Sequence, residues 1–326
     1  MLFLGIDTSA YTTSVALADE FGRPVWDERY LLPVKPGERG LMQSTAFFEH
    51  GRRLPVLWRN LPRDKWRRIA AVGVSTKPRS APDSYMPVFM AGYGAAVAIA
   101  AALGVSLVEI SHQEGHLAAG LGSGAAAALT EFRAFHLSGG TTELLRVRRY
   151  EAGRFATEII GRTEDLHTGQ FVDRVGVALG LAFPAGAALE RLAGAAVPEA
   201  AALIPAAVKG CGVSFSGPES AARRLIQAGR PPADVALAVE ACIVRSLVKM
   251  LRRTPEGETG DILMVGGVAS NSYLRAELER RLPGITFHWA PPELSRDNAV
   301  GAARLAAWRV NGDISLTKGG AEGKNG

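Results

Sequence analysis

Two histidines four residues apart, in Ser111-His112-Gln113-Glu114-Gly115-His116, are the side chains of this sequence best placed to do chemistry. The stretch opens what reads as a helix, and positions i and i+4 of a helix share a face about one turn apart. Two imidazoles so placed suit a single divalent metal bound through nitrogen. A third ligand has to come from elsewhere. Asp297, in Ser295-Arg296-Asp297-Asn298, is a distant carboxylate of the right kind, and three of the six histidines fall between residues 112 and 136. The stretch is not a metalloprotease motif: in H-E-x-x-H the general-base glutamate directly follows the first histidine. Glu114 is two residues on, roughly 200° around a helix and facing away from the metal.

Three turns of small and hydroxyl residues offer a second chemistry. They are Asp7-Thr8-Ser9, Ser138-Gly139-Gly140-Thr141-Thr142, and Gly266-Gly267 ahead of a helix. Small residues let backbone N–H groups approach phosphate oxygens closely, and hydroxyls add donors. One such turn is an ordinary tight corner, whereas three at matching places favour a nucleotide cleft.

The elements that must position these groups come in a repeated order. Leu2 to Asp7, Thr13 to Ala18 and Pro24 to Leu31 read as strands of a meander, followed by helical spacing from Leu41 to Leu61. A strand from Ile69 to Ser75, a helix from Val88 to Leu103 and a short strand from Ser106 to Ile110 complete one α/β unit. The order then restarts with a strand from Phe132 to Leu137 and strands from Glu143 to Tyr150 and Arg154 to Ile160. Helices are expected at Gly169 to Leu179, Ala185 to Gly194, Pro218 to Ala228 and Pro232 to Arg253. A strand from Ile262 to Val265, a helix to Leu282, a strand from Ile285 to His288 and a helix from Asp297 to Val310 follow. The spacing predicts two lobes of related topology. Residues 1–117, completed by a helix over 297–313, form the first and residues 118–296 the second; the Gly- and Lys-rich residues 314–326 read as a disordered tail.

Composition narrows the class. With 326 residues, 47% hydrophobic and 21% charged, the chain can bury two cores and is not disordered. A net charge of +5 permits an acidic partner such as RNA, and much of it lies in Arg52, Arg53, Arg59, Arg63, Lys65, Arg67 and Arg68, interleaved with Trp58 and Trp66. A solvated helix end explains that cluster as well as a nucleic-acid patch does. Cys211 and Cys242 are far apart and lack metal spacing, which fits a reducing cytoplasm. From Ser84 to Val108 no residue is charged, but the run is mostly Ala and Gly and is broken by Pro87 and Gly104. It is expected to be a closely packed, buried helix and not a membrane span.

In their order along the chain these pieces resemble the TsaD family, transferases of the threonylcarbamoyl group to tRNA adenine, formerly called O-sialoglycoprotein endopeptidases. The similarity runs from Leu4 to about Ala307. It is carried by Leu4-Gly5-Ile6-Asp7-Thr8-Ser9, His112-Gln113-Glu114-Gly115-His116, Ser138-Gly139-Gly140-Thr141-Thr142, Asp165 to Arg174, Ser214-Phe215-Ser216-Gly217, Gly266-Gly267-Val268-Ala269-Ser270-Asn271 and Asp297-Asn298-Ala299. The resemblance implies the two-lobed α/β fold of actin, sugar kinases and Hsp70, with a nucleotide cleft between the lobes. It implies one divalent metal, iron or zinc, on His112, His116 and Asp297, with His136 standing where some relatives supply a further ligand. It also implies that Ser138, Gly139, Gly140, Thr141 and Thr142, with Gly266 and Gly267, face the phosphates of ATP, AMP or an acyl-adenylate, while Asp173, Gly186 and Asn271 meet the ribose and base. The reaction implied is transfer of a threonylcarbamoyl or carbamoyl group from an adenylate to tRNA adenine, with protein partners of a tRNA-modification complex. No side-chain nucleophile is required.

The chain also departs from that pattern. The family's Glu-Thr-Ser-Cys-Asp-Glu-Thr-Ser turn is Asp7-Thr8-Ser9-Ala10-Tyr11-Thr12-Thr13-Ser14 here, so two acids are replaced. The family's Gly-Pro-Gly-Leu loop becomes Thr76-Lys77-Pro78-Arg79-Ser80-Ala81-Pro82-Asp83, a family Glu becomes Gln170, and Pro-Gly-Gly becomes Pro184-Ala185-Gly186. These changes mark a divergent paralogue with a more positive and more crowded mouth to its cleft. They also leave open a regulator that keeps the nucleotide and metal sites without catalysis.

Overall fold

A computed structural model of the chain describes residues 1–9, 11–34, 40–122, 124–150 and 153–312. The expected tail, residues 314–326, lies outside them. Two five-stranded mixed sheets carry the fold.

The first sheet contains β1 (Leu2–Asp7), β2 (Thr12–Asp19), β3 (Pro24–Leu31), β4 (Ile69–Lys77) and β5 (Ser106–Ser111), in the order β3-β2-β1-β4-β5. Its meander β1-β2-β3 is antiparallel, and β4 and β5 add in parallel. Between its strands come α1 (Gln43–Asn60), α2 (Arg63–Trp66) and α3 (Phe89–Leu103), and α4 (His112–Leu121) leaves β5 directly. The second sheet repeats the plan: β6 (Glu131–Leu137), β7 (Thr142–Tyr150) and β8 (Arg154–Arg162) form the antiparallel meander. After α5 (Thr168–Ala178), α6 (Gly186–Ala193), the hairpin of β9 (Ala207–Lys209) and β10 (Gly212–Ser214), α7 (Ser216–Gln227) and α8 (Pro232–Leu251), two parallel strands complete it. They are β11 (Gly260–Val265) and, beyond α9 (Ser272–Arg281), β12 (Ile285–Trp289), so the order β12-β11-β6-β7-β8 mirrors the first sheet. The short α10 (Pro292–Ser295) and α11 (Val300–Asn311) end the described chain.

The halves meet through α4 and α11, which share one apolar cluster with β6, β7 and β11. Small residues make this possible. A Cβ on Gly5 of β1 would lie 2.2 Å from the Ala299 carbonyl oxygen, and one on Gly73 of β4 would lie 2.2 Å from that of Ala302. On its other side α11 touches α4 backbone to backbone: a Cβ on Gly301 would fall 1.9 Å from the Gly115 oxygen. Alanines at 302, 303, 306 and 307 continue the contact, all buried. Arg304 is the exception, fully buried, donating to the carbonyls of Gly22, Ala118 and Ala119.

Several expectations shift. The lobe boundary expected at residue 117 falls inside α4, which packs on β11 as well as on α11. The last helix begins at Val300, not Asp297: Ala299 is its N-cap residue, and just ahead of it the Asn298 side chain accepts from the Val300 N–H in an Asx turn. The charge-free run is not a buried helix all round: α3 buries Phe89, Gly92, Ala96 and Ala100 but exposes Met90, Val97 and Leu103. No helix among the described residues is long and apolar enough to cross a membrane. Trp58 and Trp66 pack against each other and the first core, so they are not free stacking platforms, and Arg52 and Arg53 pair with Glu49.

Candidate metal centre and nucleotide cleft

α4 starts sharply because Ser111 and Glu114 cap it reciprocally, each side chain bonding the other's backbone N–H. Glu114 therefore faces away from the histidines, as the spacing predicts, and also pairs with Arg309 of α11 at 2.7 Å. The cap sets His112 and His116 on one face, and the glycine contact between α4 and α11 lets Asp297 approach them. His112 Nε2 and His116 Nε2 are 3.1 Å apart, and Asp297 Oδ1 lies 3.4 Å and 3.3 Å from them. Donors sharing one ion at about 2.0–2.2 Å lie roughly 3.0–3.5 Å apart in octahedral or tetrahedral arrangements, so all three separations fit a common metal.

His136, on β6, completes the group. Its ring centroid is 4.6 Å from that of His116, and one nitrogen from each of His112, His116 and His136 lies within 4.8 Å of the others. Both of its nitrogens are buried with no hydrogen-bond partner among the described residues, as is His116 Nδ1. Such orphaned groups need an explanation, and a cation ligated by imidazole supplies one. Asp7 was read from the sequence only as a turn residue. Its Oδ2 accepts from His112 Nδ1 at 2.9 Å, the carboxylate–histidine pairing that orients a metal ligand. Burial opposes charge on His112, yet the carboxylates of Asp7 and Asp297 prevail and raise it to about 10. Burial and the neighbouring His112 hold His116 down, and burial with both neighbours holds His136 well down. One buried carboxylate, Asp7, and one partly exposed, Asp297, around three imidazoles make a pocket that wants positive charge.

The second turn leaves β6 directly above this cluster. The Ser138 hydroxyl accepts from the Gly140 N–H at 3.3 Å, and side-chain positions at Gly139 and Gly140 face open space. α5 aims its N-terminus at the turn: the Gly169 N–H donates to the Ser138 oxygen at 3.1 Å, and a Cβ on Gly169 would come within 2.7 Å of the Gly139 nitrogen. A helix N-terminus facing the open space at Gly139 and Gly140 favours an anion. Thr142 differs from the expected picture. Its hydroxyl is buried and accepts from the Thr168 N–H at 2.7 Å, so it anchors α5 to the turn.

The remaining candidates line the approach or support it. Asp173 borders a cavity with Tyr11, Gly139, Gln170, Arg174, Val177 and Phe183; it accepts from the Ala185 N–H at 2.7 Å, just before Gly186 opens α6. Burial pushes its carboxyl up to about 6. Gly266 has a left-handed φ of 95°, and a Cβ there would meet the Leu137 oxygen at 2.3 Å, so its glycine is demanded by packing beneath the second turn. Gly267 opens a 3₁₀ turn with free space at its side-chain position. Asn271 is held at both ends: Oδ1 caps α9 at the Leu274 N–H, and Nδ2 donates to buried Glu240 at 2.6 Å, which leaves one N–H and one lone pair of the amide for a ligand. Sequence reasoning missed the Tyr11–Phe183 edge-to-face contact across the cavity, with centroids 5.5 Å apart, and the pairing of Arg79 with Glu143.

Fold and site together define a two-lobed α/β protein of the actin, sugar-kinase and Hsp70 type, with a histidine–carboxylate centre at the foot of its cleft. Solved structures support the fold. Component A of (R)-2-hydroxyglutaryl-CoA dehydratase from Acidaminococcus fermentans aligns over 94% of this chain and 98% of its own, with TM-score 0.56 and 16% identity. HypF from T. kodakarensis aligns over 94% of this chain and 48% of its own, with TM-score 0.57 and 15% identity.

Within that class the chain belongs to the TsaD family, described as tRNA N6-adenosine threonylcarbamoyltransferase, which it matches over residues 65–304. It is 31% identical to the tRNA N6-adenosine threonylcarbamoyltransferase of Thermus thermophilus, covering 95% of this chain and 93% of that protein. The corresponding protein of Verminephrobacter eiseniae is 32% identical, over 96% and 93%. A probable bifunctional tRNA threonylcarbamoyladenosine biosynthesis protein of Methanothermobacter thermautotrophicus is 30% identical over 94% of this chain, which spans 55% of that longer protein.

Proposed function

We propose that this chain is a metal- and nucleotide-binding transferase that moves a threonylcarbamoyl group from an adenylate to the exocyclic amine of a tRNA adenine. The observation that carries this reading is the convergence of His112, His116, His136 and Asp297 at one point, in a chain 31% identical to transferases named for that reaction. Those residues would hold the metal, and imidazole with carboxylate suits iron or zinc. A divalent ion there would polarise acyl or phosphoryl oxygens of the donor. Backbone amides of Gly139 and Gly140, with the N-terminus of α5, would receive its phosphate, and Asp173 its ribose.

In the reaction the adenine amine forms a bond to the carbamoyl carbon while that carbon's bond to the phosphate oxygen breaks. AMP leaves, and the proton lost by the amine passes to the departing phosphate. The chain's residues bind and orient; none need become covalently attached. Buried His116 and His136 converging with the partly exposed His112 and Asp297 have no packing rationale without an ion, which counts against a descendant that has no use for a metal. Free Cys211 and Cys242 support a reducing cytoplasm as the place of action, with protein partners of a modification complex alongside tRNA. The test is an assay with threonylcarbamoyl-adenylate, partner proteins and unmodified tRNA, reading modified adenosine by mass spectrometry. Product dependent on His112 and His116 is expected; donor binding without any product would overturn the assignment.

A further inference from the structure

The loop between β4 and α3 brings a cation to the metal centre. It is tied to the start of α4 at two points: the Gln113 N–H donates to the Pro78 oxygen at 3.0 Å, and Ser80 Oγ donates to Glu114 Oε2 at 2.8 Å. The Arg79 N–H is held by Ser84 Oγ at 2.9 Å. So braced, Arg79 crosses from the first half to the second, its Nε 3.1 Å from Glu143 Oε1. Glu143 is buried, and its other oxygen accepts from Gln113 Nε2 at 2.8 Å.

The register of the second sheet shows where this places the guanidinium. Glu143 pairs directly with His136 across β6 and β7, so the two side chains share a face about 5 Å apart. Glu143 also immediately follows the Ser138–Thr142 turn. The guanidinium therefore stands beside the histidine cluster and below the phosphate turn. Its side chain keeps 39% of its exposure, and among the described residues no hydrogen bond engages its terminal nitrogens. A planar fork held at one edge by a buried carboxylate, with its free nitrogens at a cleft, is suited to a second pair of anionic oxygens.

We propose that Arg79 is a specificity-determining residue that binds an anionic group of the adenylate donor, either the carboxylate of its amino-acid part or its phosphate. The inference rests on the adenylate reading above. Glu143 and Gln113 fix the fork, and the free edge meets the ligand.

The test is calorimetric titration of wild type and Arg79→Gln with four ligands: adenosine, AMP, a non-hydrolysable N-carbamoyl-threonyl adenylate, and the same analogue with its carboxylate converted to an amide. Loss of a charge-assisted contact is worth about ten- to a hundredfold in affinity. If the carboxylate is the target, Arg79→Gln weakens the acidic analogue by that factor and leaves the other three within about twofold. If the phosphate is the target, AMP and both analogues weaken together while adenosine does not. Either pattern supports the proposal and names the source. Unchanged affinity for all four, or equal loss for all four including adenosine, overturns it, the latter because it marks a structural role. Wild type that binds none of the nucleotides overturns the adenylate reading itself, and this inference with it.

Discussion

Gly301→Ala should damage the metal centre without touching a ligand. The added Cβ would lie 1.9 Å from the Gly115 oxygen and 2.6 Å from its carbonyl carbon, whereas real Cβ atoms essentially never approach within 3.0 Å. Both obstacles are backbone, so no side chain can swing aside; α4 and α11 must part by at least about 1.1 Å at this point, the difference between 1.9 and 3.0 Å. α11 cannot retreat, because Gly5 and Gly73 already press it against the first sheet. The movement falls on α4, whose His112 and His116 are 3.4 and 3.3 Å from Asp297. Stretching those distances to roughly 4.4 Å exceeds what two ligands at about 2.1 Å from one ion can span.

Alanine gains about 1 kcal/mol of helix propensity over glycine, while overpacking a rigid contact costs about 1–3 kcal/mol; because both obstacles are backbone the cost falls at the upper end, and a net loss of up to about 2 kcal/mol is expected. Metal affinity should fall at least about tenfold. Chemical denaturation and chelator competition measure the two effects. Gly94→Ala is the control: it lies in α3 with open space at its side-chain position, and should be neutral or stabilising by up to about 1 kcal/mol. A Gly301→Ala protein with wild-type midpoint and wild-type metal affinity would refute the argument that this glycine contact sets the site.

Three further outcomes follow from the site. His112→Ala combined with His116→Ala should abolish bound transition metal in purified protein, and elemental analysis giving wild-type content would remove the pair from the site. Asp7→Asn keeps an acceptor for His112 but removes the charge, so metal affinity should drop about ten- to a hundredfold, measured by chelator competition against a wild-type fold by circular dichroism. Asp173 is pushed up to about 6 by burial, so its contribution to folding stability is full below the usual carboxylate range and is lost as pH rises through 6. Its ionised form is the better acceptor for a ribose hydroxyl, so nucleotide affinity should run the opposite way, rising between about pH 5 and 7. Asp173→Ala should flatten that profile and weaken nucleotide by about 1–3 kcal/mol; calorimetry showing no pH dependence in wild type would contradict it.

The parts of the site legible in the sequence are those written locally. His112 and His116 announce themselves by helical spacing, and Ser138 to Thr142 by small residues closing an apolar strand; the repeated element order predicts two related sheets. Contacts between distant segments left no such trace. Asp7 meets His112 across 105 positions, and its only signal is an acid within an otherwise apolar strand, where burial demands a partner. Arg79 lies in a connection of the first sheet and Glu143 on β7 of the second, and only the strand register puts Glu143 beside His136. The α3 run misled for a physical reason: absence of charge permits burial but does not require it, and alanine and glycine tolerate a solvent-facing side.

Two of the departures from the family join the halves of the molecule by direct contact. Tyr11 and Arg79, both in replaced segments of the first half, now touch Phe183 and Glu143 of the second. An aromatic edge contact is worth about 0.5–1.5 kcal/mol and a partly exposed ion pair about 0–1 kcal/mol. Together they hold the halves with no more than about 2.5 kcal/mol, whereas a micromolar ligand supplies about 8 kcal/mol. These two contacts are therefore too weak to lock the cleft and strong enough to discriminate among ligands. A ligand that adds a second partner at the free edge of the Arg79 fork gives up nothing on entering, while one that only parts Tyr11 from Phe183 loses up to about tenfold in affinity. Selection on such contacts acts on the choice of donor and acceptor without replacing His112, His116 or Asp297.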